Sequence, residues 1–265
     1  MTLVAIDNHV YDRIGEGWWD ESNPLNLLQG SLTPARYGYF RDVLRERGFA
    51  TLDGLRALDI GSGGGFLAER FARAGCDVVG IDPSTVSLDT AHRHAAASGL
   101  SIDYRRGVGE RLPVGDSTFD LAYCCDVLEH VDDLDAVLAE TARALTPGGL
   151  YFFDTINRTW LGRLVVIKIM QEWRWTRMFD TPVHDWSMFI TPAELTAALD
   201  RHGLRLTGLT GLGLRTADPR RLIDMHRARQ GRLTYGEVSR RLNFGRVPYT
   251  GANYMGYAVK TAARG

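Results

Sequence analysis

Ala57-Leu-Asp-Ile-Gly-Ser-Gly-Gly-Gly65, followed at once by Phe66-Leu-Ala-Glu-Arg-Phe-Ala72, decides how the rest of the chain folds. A short apolar run closes on glycines just where an amphipathic run begins, which reads as a strand, a tight turn and a helix N-terminus. Gly61, Gly63 and Gly65 can take positive φ at no steric cost and let a ligand lie against bare backbone. The unpaired N–H groups of the first helical turn then face that ligand. Turns of this kind serve several nucleotide-like ligands, so by itself the motif fits either a specific cofactor or a generic tight turn.

Cys76-Asp-Val-Val-Gly-Ile-Asp82 narrows the choice. It reads as a second strand ending in an acid, where a carboxylate can take up a ribose diol. Dinucleotide sites share this acid but rest a diphosphate on the glycines, and Asp59, just before the turn, would repel a phosphate. The same carboxylate suits a cation, such as the sulfonium or ammonium of S-adenosylmethionine. The spacing Asp59-x-Gly61-x-Gly63-x-Gly65 resembles motif I of class I methyltransferases.

Working outward, strands are expected at residues 55–60, 77–82, 101–106, 119–125, 150–155, 204–211 and 252–260. Helices at about 65–74, 84–98 and 132–145 lie between them, as crossovers of a parallel sheet do. Gly109 and Glu110 sit where methyltransferases hold the adenine, and Pro147-Gly-Gly149 is a turn usual in that fold. The expected architecture is an α/β, Rossmann-like, seven-stranded and mostly parallel sheet with helices on both faces. An N-terminal helical cap occupies residues 1–50. The methyltransferase domain covers 51–265, with a lid at about 157–190 and an arginine-rich insert at about 214–246.

The 265 residues suffice for one such domain with its elaborations, and a net charge of −1 predicts no bulk attraction to nucleic acid. Cys76, Cys124 and Cys125 have no metal-type spacing, and two adjacent members of an odd set argue against a disulfide scaffold. A reducing, cytoplasmic setting is expected. The N-terminus lacks a signal pattern, and no uncharged run reaches the roughly 18 residues of a membrane span.

In the cap, helices are expected at Val4–Gly15 and 34–47, the second with Thr33 as N-cap and Pro34 in its first turn. Trp18 and Trp19 either pack the cap on the main domain or contact an apolar substrate, to which Trp173 of the lid would also belong. Arg36 either pairs on the surface or reaches the cofactor carboxylate.

Asp126, Glu129 and His130 stand at the carboxyl end of the fourth strand, where open α/β sheets bind ligands. If the segment turns helical, they share one face. They could hold a divalent cation that lowers the pKa of a bound hydroxyl; His130 could act alone as general base; or Leu-Glu-His-Val is a feature of the fold. In the lid, a helical wheel puts Leu161, Val165, Val166, Ile169, Met170 and Trp173 on one arc, and Arg163, Lys168, Gln171, Arg174 and Arg177 on the other. That composition suits an interfacial helix touching a membrane, or a lid packed on its own domain. His184 either orients the substrate hydroxyl or caps the lid. The insert carries nine arginines (Arg215, Arg220, Arg221, Arg227, Arg229, Arg232, Arg240, Arg241 and Arg246) and reads as a solvated helical hairpin. Anionic lipid, an anionic substrate or a dimer contact are its other readings.

Trp18-Trp19-Asp20, Asn23-Pro-Leu25, Arg36, Asp59–Gly65, Asp82, Asp126-Val-Leu-Glu-His-Val131, Asn157-Arg158, His184-Asp185, Phe189–Leu195 and Asn253-Tyr-Met255 together resemble the O-methyltransferases of ubiquinone biosynthesis over nearly the whole chain. The resemblance implies that Arg36, Gly61, Asp82 and Cys125 contact S-adenosylmethionine. It also implies a substrate hydroxyl on an apolar, prenylated ring, and for some members a metal held by acid-x-x-Glu-His, with Mg²⁺ the candidate here. The expected cofactor set is therefore Arg36, Asp59, Gly61, Gly63, Gly65, Asp82, Gly109, Glu110 and Cys125; the catalytic set is His130, His184 and Glu129. The expected reaction is O-methylation of a phenol, catechol or hydroquinone. C-methylation of an isoprenoid or quinone ring is the alternative enzyme. A cofactor-binding or peripheral-membrane protein without turnover is the alternative of another class. The insert is longer than in these relatives.

Overall fold

A computed structural model describes residues 6–262, so Val4 and Ala5 of the expected first helix lie outside the described residues. The cap consists of α1 (Val10–Ile14), two 3-10 turns (Gly15–Gly17 and Pro24–Leu28) and α2 (Leu32–Glu46). The domain continues through β1 (Arg56–Ile60), α3 (Phe66–Arg73), β2 (Asp77–Asp82), α4 (Thr85–Ala97), β3 (Asp103–Arg106), β4 (Phe119–Cys125), α5 (Leu134–Ala144) and β5 (Leu145–Ile156). A single turn, α6 (Trp160–Gly162), leads into a π-helix over Arg163–Glu172. Then come α7 (Pro192–Arg201), β6 (Leu204–Leu214), α8 (Arg220–Arg229), α9 (Tyr235–Arg241), β7 (Phe244–Val247) and β8 (Asn253–Lys260).

The strand order is β3-β2-β1-β4-β5-β8-β6-β7. Strands β1 to β5 pair in parallel, while β8 runs antiparallel to both β5 and β6. The chain reverses its winding between β1 and β4, so the carboxyl ends of these two strands frame the crevice where such sheets bind ligands. Both faces are covered at the centre of the sheet, which is why β4 and much of β5 are nearly continuous apolar runs. Phe152 packs with Phe40, Phe71 and Tyr123 on one face. Its neighbours Tyr151 and Phe153 pack with Leu58, Ala122 and Leu199 on the other.

Local chemistry starts most helices as expected. Gly65 enters α3 with φ +86, Ser84 accepts from the Ser87 N–H at α4, and Asp133 accepts from Ala136 N–H at α5. Thr191 and Thr234 open α7 and α9 with capping boxes to Glu194 and Glu237.

Four expectations need correction. The sheet has eight strands: β7 pairs antiparallel with β6, Gly211 opposite Val247 through Leu214 opposite Phe244. This short strand is hidden inside the arginine-rich run, where charge count masks a four-residue alternation. Helix α2 starts earlier, from Ser31, because the Thr33 hydroxyl donates to Leu28 O at 2.9 Å instead of capping. The first helix is confined to Val10–Ile14. Residues 163–172 are π-helical rather than α-helical, with Gln171 turned inward onto His184 O, and Trp173 lies past the helix end in extended backbone, facing outward.

Candidate active site

The glycine turn lies against the carboxyl end of β2. Gly61 and Ser62 donate to Ile81 O at 2.8 and 3.0 Å, and Gly63 N–H donates to Asp82 Oδ2 at 2.8 Å. Ser84 N–H takes the other Asp82 oxygen at 2.9 Å. Two backbone donors thus hold this carboxylate in one orientation, with lone pairs left for a diol. Burial nevertheless pushes Asp82 up to about 6, against those two bonds. Asp59 is buried beneath the turn. Burial, then the nearby Asp82, raise its pKa well above the usual carboxylate range, against the opposing pull of the Ala68 N–H of α3 and of Tyr123. Its Oδ2 is left without a hydrogen-bond partner beneath the turn. Gly109 packs on Ile60 and Val137 beside the end of β1, and Glu110 Oε1 accepts from Asp132 N–H at 3.1 Å.

Arg36 reaches into the same crevice from α2, but it is not free. Its Nε lies 2.6 Å from Asp154 Oδ2 and its Nη2 lies 2.9 Å from Asp154 Oδ1 and 2.5 Å from Asp126 Oδ2. Asp126 sits at φ +54, and its own N–H donates to Asp154 Oδ1 at 3.2 Å. Both carboxylates hold the guanidinium charged despite complete burial. The Cys125 thiol adjoins Asp154, and burial raises its pKa far above the usual thiol range. Asp126 is therefore committed to Arg36 and does not join a metal set with Glu129 and His130. Sequence reading misses Asp154; its signal is an acid inside the apolar run Tyr151-Phe-Phe-Asp-Thr-Ile156.

Glu129, His130 and His184 do converge. Their ligand atoms lie within 4.8 Å of one another, and the two imidazole centroids are 4.8 Å apart. Thr155 donates to Glu129 Oε2 at 2.7 Å, while Glu129 Oε1 and His130 Nδ1 are buried without a hydrogen-bond partner. Burial, seconded by the Asp126 charge, pushes Glu129 up to about 8. Burial also brings His130 down to about 4 and His184 down to about 3, so both imidazoles are neutral at pH 7. A neutral imidazole offers one lone-pair nitrogen, to a proton or to a metal. The backbone N–H groups of Val183 and His184 both donate to Gln171 Oε1 at 2.9 Å, so the π-helix sets the height of His184.

Trp18 and Trp19 pack the cap onto the glycine turn and do not line a substrate wall with Trp173. A Cβ on Gly63 would lie 2.7 Å from the Trp18 ring, whose Nε1 donates to Ser87 Oγ at 2.9 Å. Trp19 donates to Gly64 O at 2.8 Å and stacks on His94 at 3.4 Å, with His94 Nδ1 2.5 Å from Glu69 Oε1. Trp173 is 48% exposed, on the outer surface of the lid. Tyr11 of α1, stacked on Trp18, is the aromatic group that reaches His130, edge-on at 6.2 Å, as Phe189 reaches His184 at 6.3 Å. Nothing in the sequence marks Tyr11 beyond its place in an amphipathic stretch.

A parallel sheet with a glycine turn after β1, an acid ending β2 and a ligand crevice between β1 and β4 defines an S-adenosylmethionine-dependent methyltransferase of class I. Residues 58–153 match the family described as "Methyltransferase domain". An S-adenosylmethionine-dependent methyltransferase from Thermotoga maritima has the same fold at TM-score 0.62 and 18% identity, covering 95% of this chain and 100% of that one. The cyclase SpnF shares it at TM-score 0.57 and 20% identity, over 85% of this chain and 81% of that one. At such identities the likeness speaks for fold alone.

Closer relatives give the particular family. A protein named ubiquinone biosynthesis O-methyltransferase from Methylobacterium nodulans is 37% identical over 209 residues, spanning 76% of this chain and 82% of its own. A protein of the same name from Brucella anthropi is 38% identical over 221 residues, spanning 80% and 86%. The chain belongs to this family of O-methyltransferases.

Proposed function

We propose that this enzyme moves the methyl group of S-adenosylmethionine to a hydroxyl of an apolar aromatic ring, a phenol, catechol or hydroquinone of quinone biosynthesis. The observation that carries the reading is the convergence of His130 and His184 on Glu129 just past the carboxyl end of β4. The bound cofactor supplies an electrophilic methyl carbon on a sulfonium. Asp82 and the glycine turn would hold its ribose, Gly109 and Glu110 its adenine, and Arg36 its carboxylate. His130 or His184 would accept the proton that the phenolic hydroxyl gives up as it takes the methyl group. Residues 1–50 act as cap and residues 157–190 as lid on the domain 51–265, excluding water and aligning oxygen with methyl.

Glu129, His130 and His184 would also fit a divalent ion, because two of their buried donor atoms are orphaned. The ion would lower the hydroxyl pKa. Two imidazoles and one carboxylate suit Zn²⁺, Mn²⁺ or Ni²⁺ better than Mg²⁺, which prefers oxygen ligands.

A second reading concerns where the substrate comes from. Among the described residues no helix is long and apolar enough to cross a membrane. Trp160 and Trp175 are nonetheless 74% and 70% exposed on the outer lid near Arg163 and Arg174, a composition that suits contact with a membrane surface. Equal flotation of wild type and Trp160→Ser/Trp175→Ser on anionic vesicles would refute that contact.

The test of function is methyl transfer from labelled S-adenosylmethionine to catechols and hydroquinones with and without a prenyl tail, each with EDTA, Mg²⁺ or Mn²⁺. Transfer to a ring hydroxyl supports the reading. A product methylated on ring carbon refutes it in favour of C-methylation, and no transfer to any ring favours a binding protein. Loss with EDTA and recovery with Mn²⁺ supports a metal at Glu129, His130 and His184.

A further inference from the structure

The arginine-rich insert is not a free solvated hairpin. Five of its nine arginines meet carboxylates, and two of these partners belong to other parts of the chain. On the cap side, Arg240 forks onto Glu21 at 2.6 and 2.9 Å. Ser239 Oγ, fully buried, donates to Leu27 O at 2.5 Å and accepts from Gly30 N–H at 2.9 Å. On the lid side, Arg229 pairs with Asp180 at 2.7 Å and donates to Arg177 O at 3.2 Å. Between the two grips an apolar cluster joins Leu27 of the cap, Met170 and Met178 of the lid, and Met225, Tyr235 and Val238 of the insert. The gripped strap, residues 176–180, runs directly on to Val183 and His184.

We propose that residues 216–242 form a clasp that positions His184 by binding the lid strap and the cap into one body. Arg229, Ser239 and Arg240 are positioning residues, none of them touching the reacting groups. An exposed ion pair contributes little on its own. The buried cluster makes the joint, and the two arginine pairs set its register. The proposal rests on the reading of His184 as part of the acceptor site.

The test is hydrogen exchange by mass spectrometry on the full chain, comparing wild type, Arg229→Glu, Arg240→Glu and the swap Glu21→Arg/Arg240→Glu, alongside steady-state kinetics. Arg240 grips the cap and not the lid, yet Arg240→Glu should raise exchange in residues 176–184 as well as 21–30. Arg229→Glu should do the same from the lid side, raising exchange in 21–30. The swap should restore wild-type exchange, and β1 and β4 should be unchanged in every variant. A displaced His184 should lower kcat on the order of tenfold, with little change in KM for S-adenosylmethionine. Exchange that rises only beside each substitution, or a swap that restores nothing, overturns the clasp. Coupled exchange with unaltered kcat keeps the clasp but overturns the place of His184 in the reaction.

Discussion

Replacing Asp154 by asparagine tests what keeps Arg36 buried. The Arg36 side chain is 4% exposed, Asp154 is 0% exposed and Asp126 is 27% exposed. Asp154 binds the guanidinium through two of its nitrogens and also accepts from the Asp126 N–H, whereas Asp126 supplies one oxygen at the crevice side. The Asp154→Asn substitution keeps the shape and removes the charge. Removing one partner of a buried pair costs about 3 kcal/mol or more, because the other charge stays out of water without compensation. For a domain of this size that is a fall in Tm of roughly 6 to 12 °C. Asp126→Asn keeps a residue tolerant of the left-handed backbone, and water reaches its carboxylate, so its cost should stay within about 1 kcal/mol. It also opens one side of the Arg36 fork, so KM for S-adenosylmethionine should fall if Arg36 takes the cofactor carboxylate. Thermal melts by circular dichroism and cofactor titration of both variants check this. Arg36→Met/Asp154→Leu should recover most of the stability, since no charge is then left buried. Equal Tm losses in the two single variants, or a loss below about 2 °C for Asp154→Asn, would refute the reasoning.

Three further outcomes are expected. Because burial holds Asp82 at about 6 and bound ribose hydroxyls favour its charged form, affinity for S-adenosylmethionine should be full above that pH and weaken as pH falls through it; Asp82→Asn should bind more weakly with that pH dependence gone. Gly64→Ala should drive a methyl into Trp18 and lift the cap from the turn, raising cofactor KM while the apo-protein melts within a few degrees of wild type. Gly38 lies inside α2 with nothing within 4 Å of a would-be Cβ, so Gly38→Ala should stabilise by about 0.5–1 kcal/mol, read as a higher denaturation midpoint in urea.

How much of this is legible depends on the range of the interaction. Asp59, the three glycines and Asp82 are spaced by the demands of one turn on one ligand, and such demands are local enough to read. His130 is visible for the same reason, as it follows directly on a strand end. Its partner can be named from sequence but not placed: His184 meets it in the folded chain, where Gln171 of the π-helix holds the His184 backbone. A wheel drawn at the α-helical period puts Gln171 on the polar face, since a single sequence carries no sign of the wider winding. Spacing offers Asp126 as one of three metal ligands, whereas Arg36 and Asp154 claim it through contacts from α2 and β5. Trp18 and Trp19 can be read as packing or as substrate contacts, and the Trp18 ring on Gly63 and the Trp19 bond to Gly64 O choose packing.

By itself, then, the amino-acid sequence determined the alternation of strands and helices, the glycine turn and the acid that ends β2. These rest on backbone conformation, capping and apolar period, all set within a few residues. Tertiary structure alone decided which carboxylate faces Arg36, which histidines meet, and that the arginine run grips cap and lid. A charge or an imidazole pairs with whatever the packed chain brings within about 3 Å of it, and that is a matter of burial and contact between distant segments.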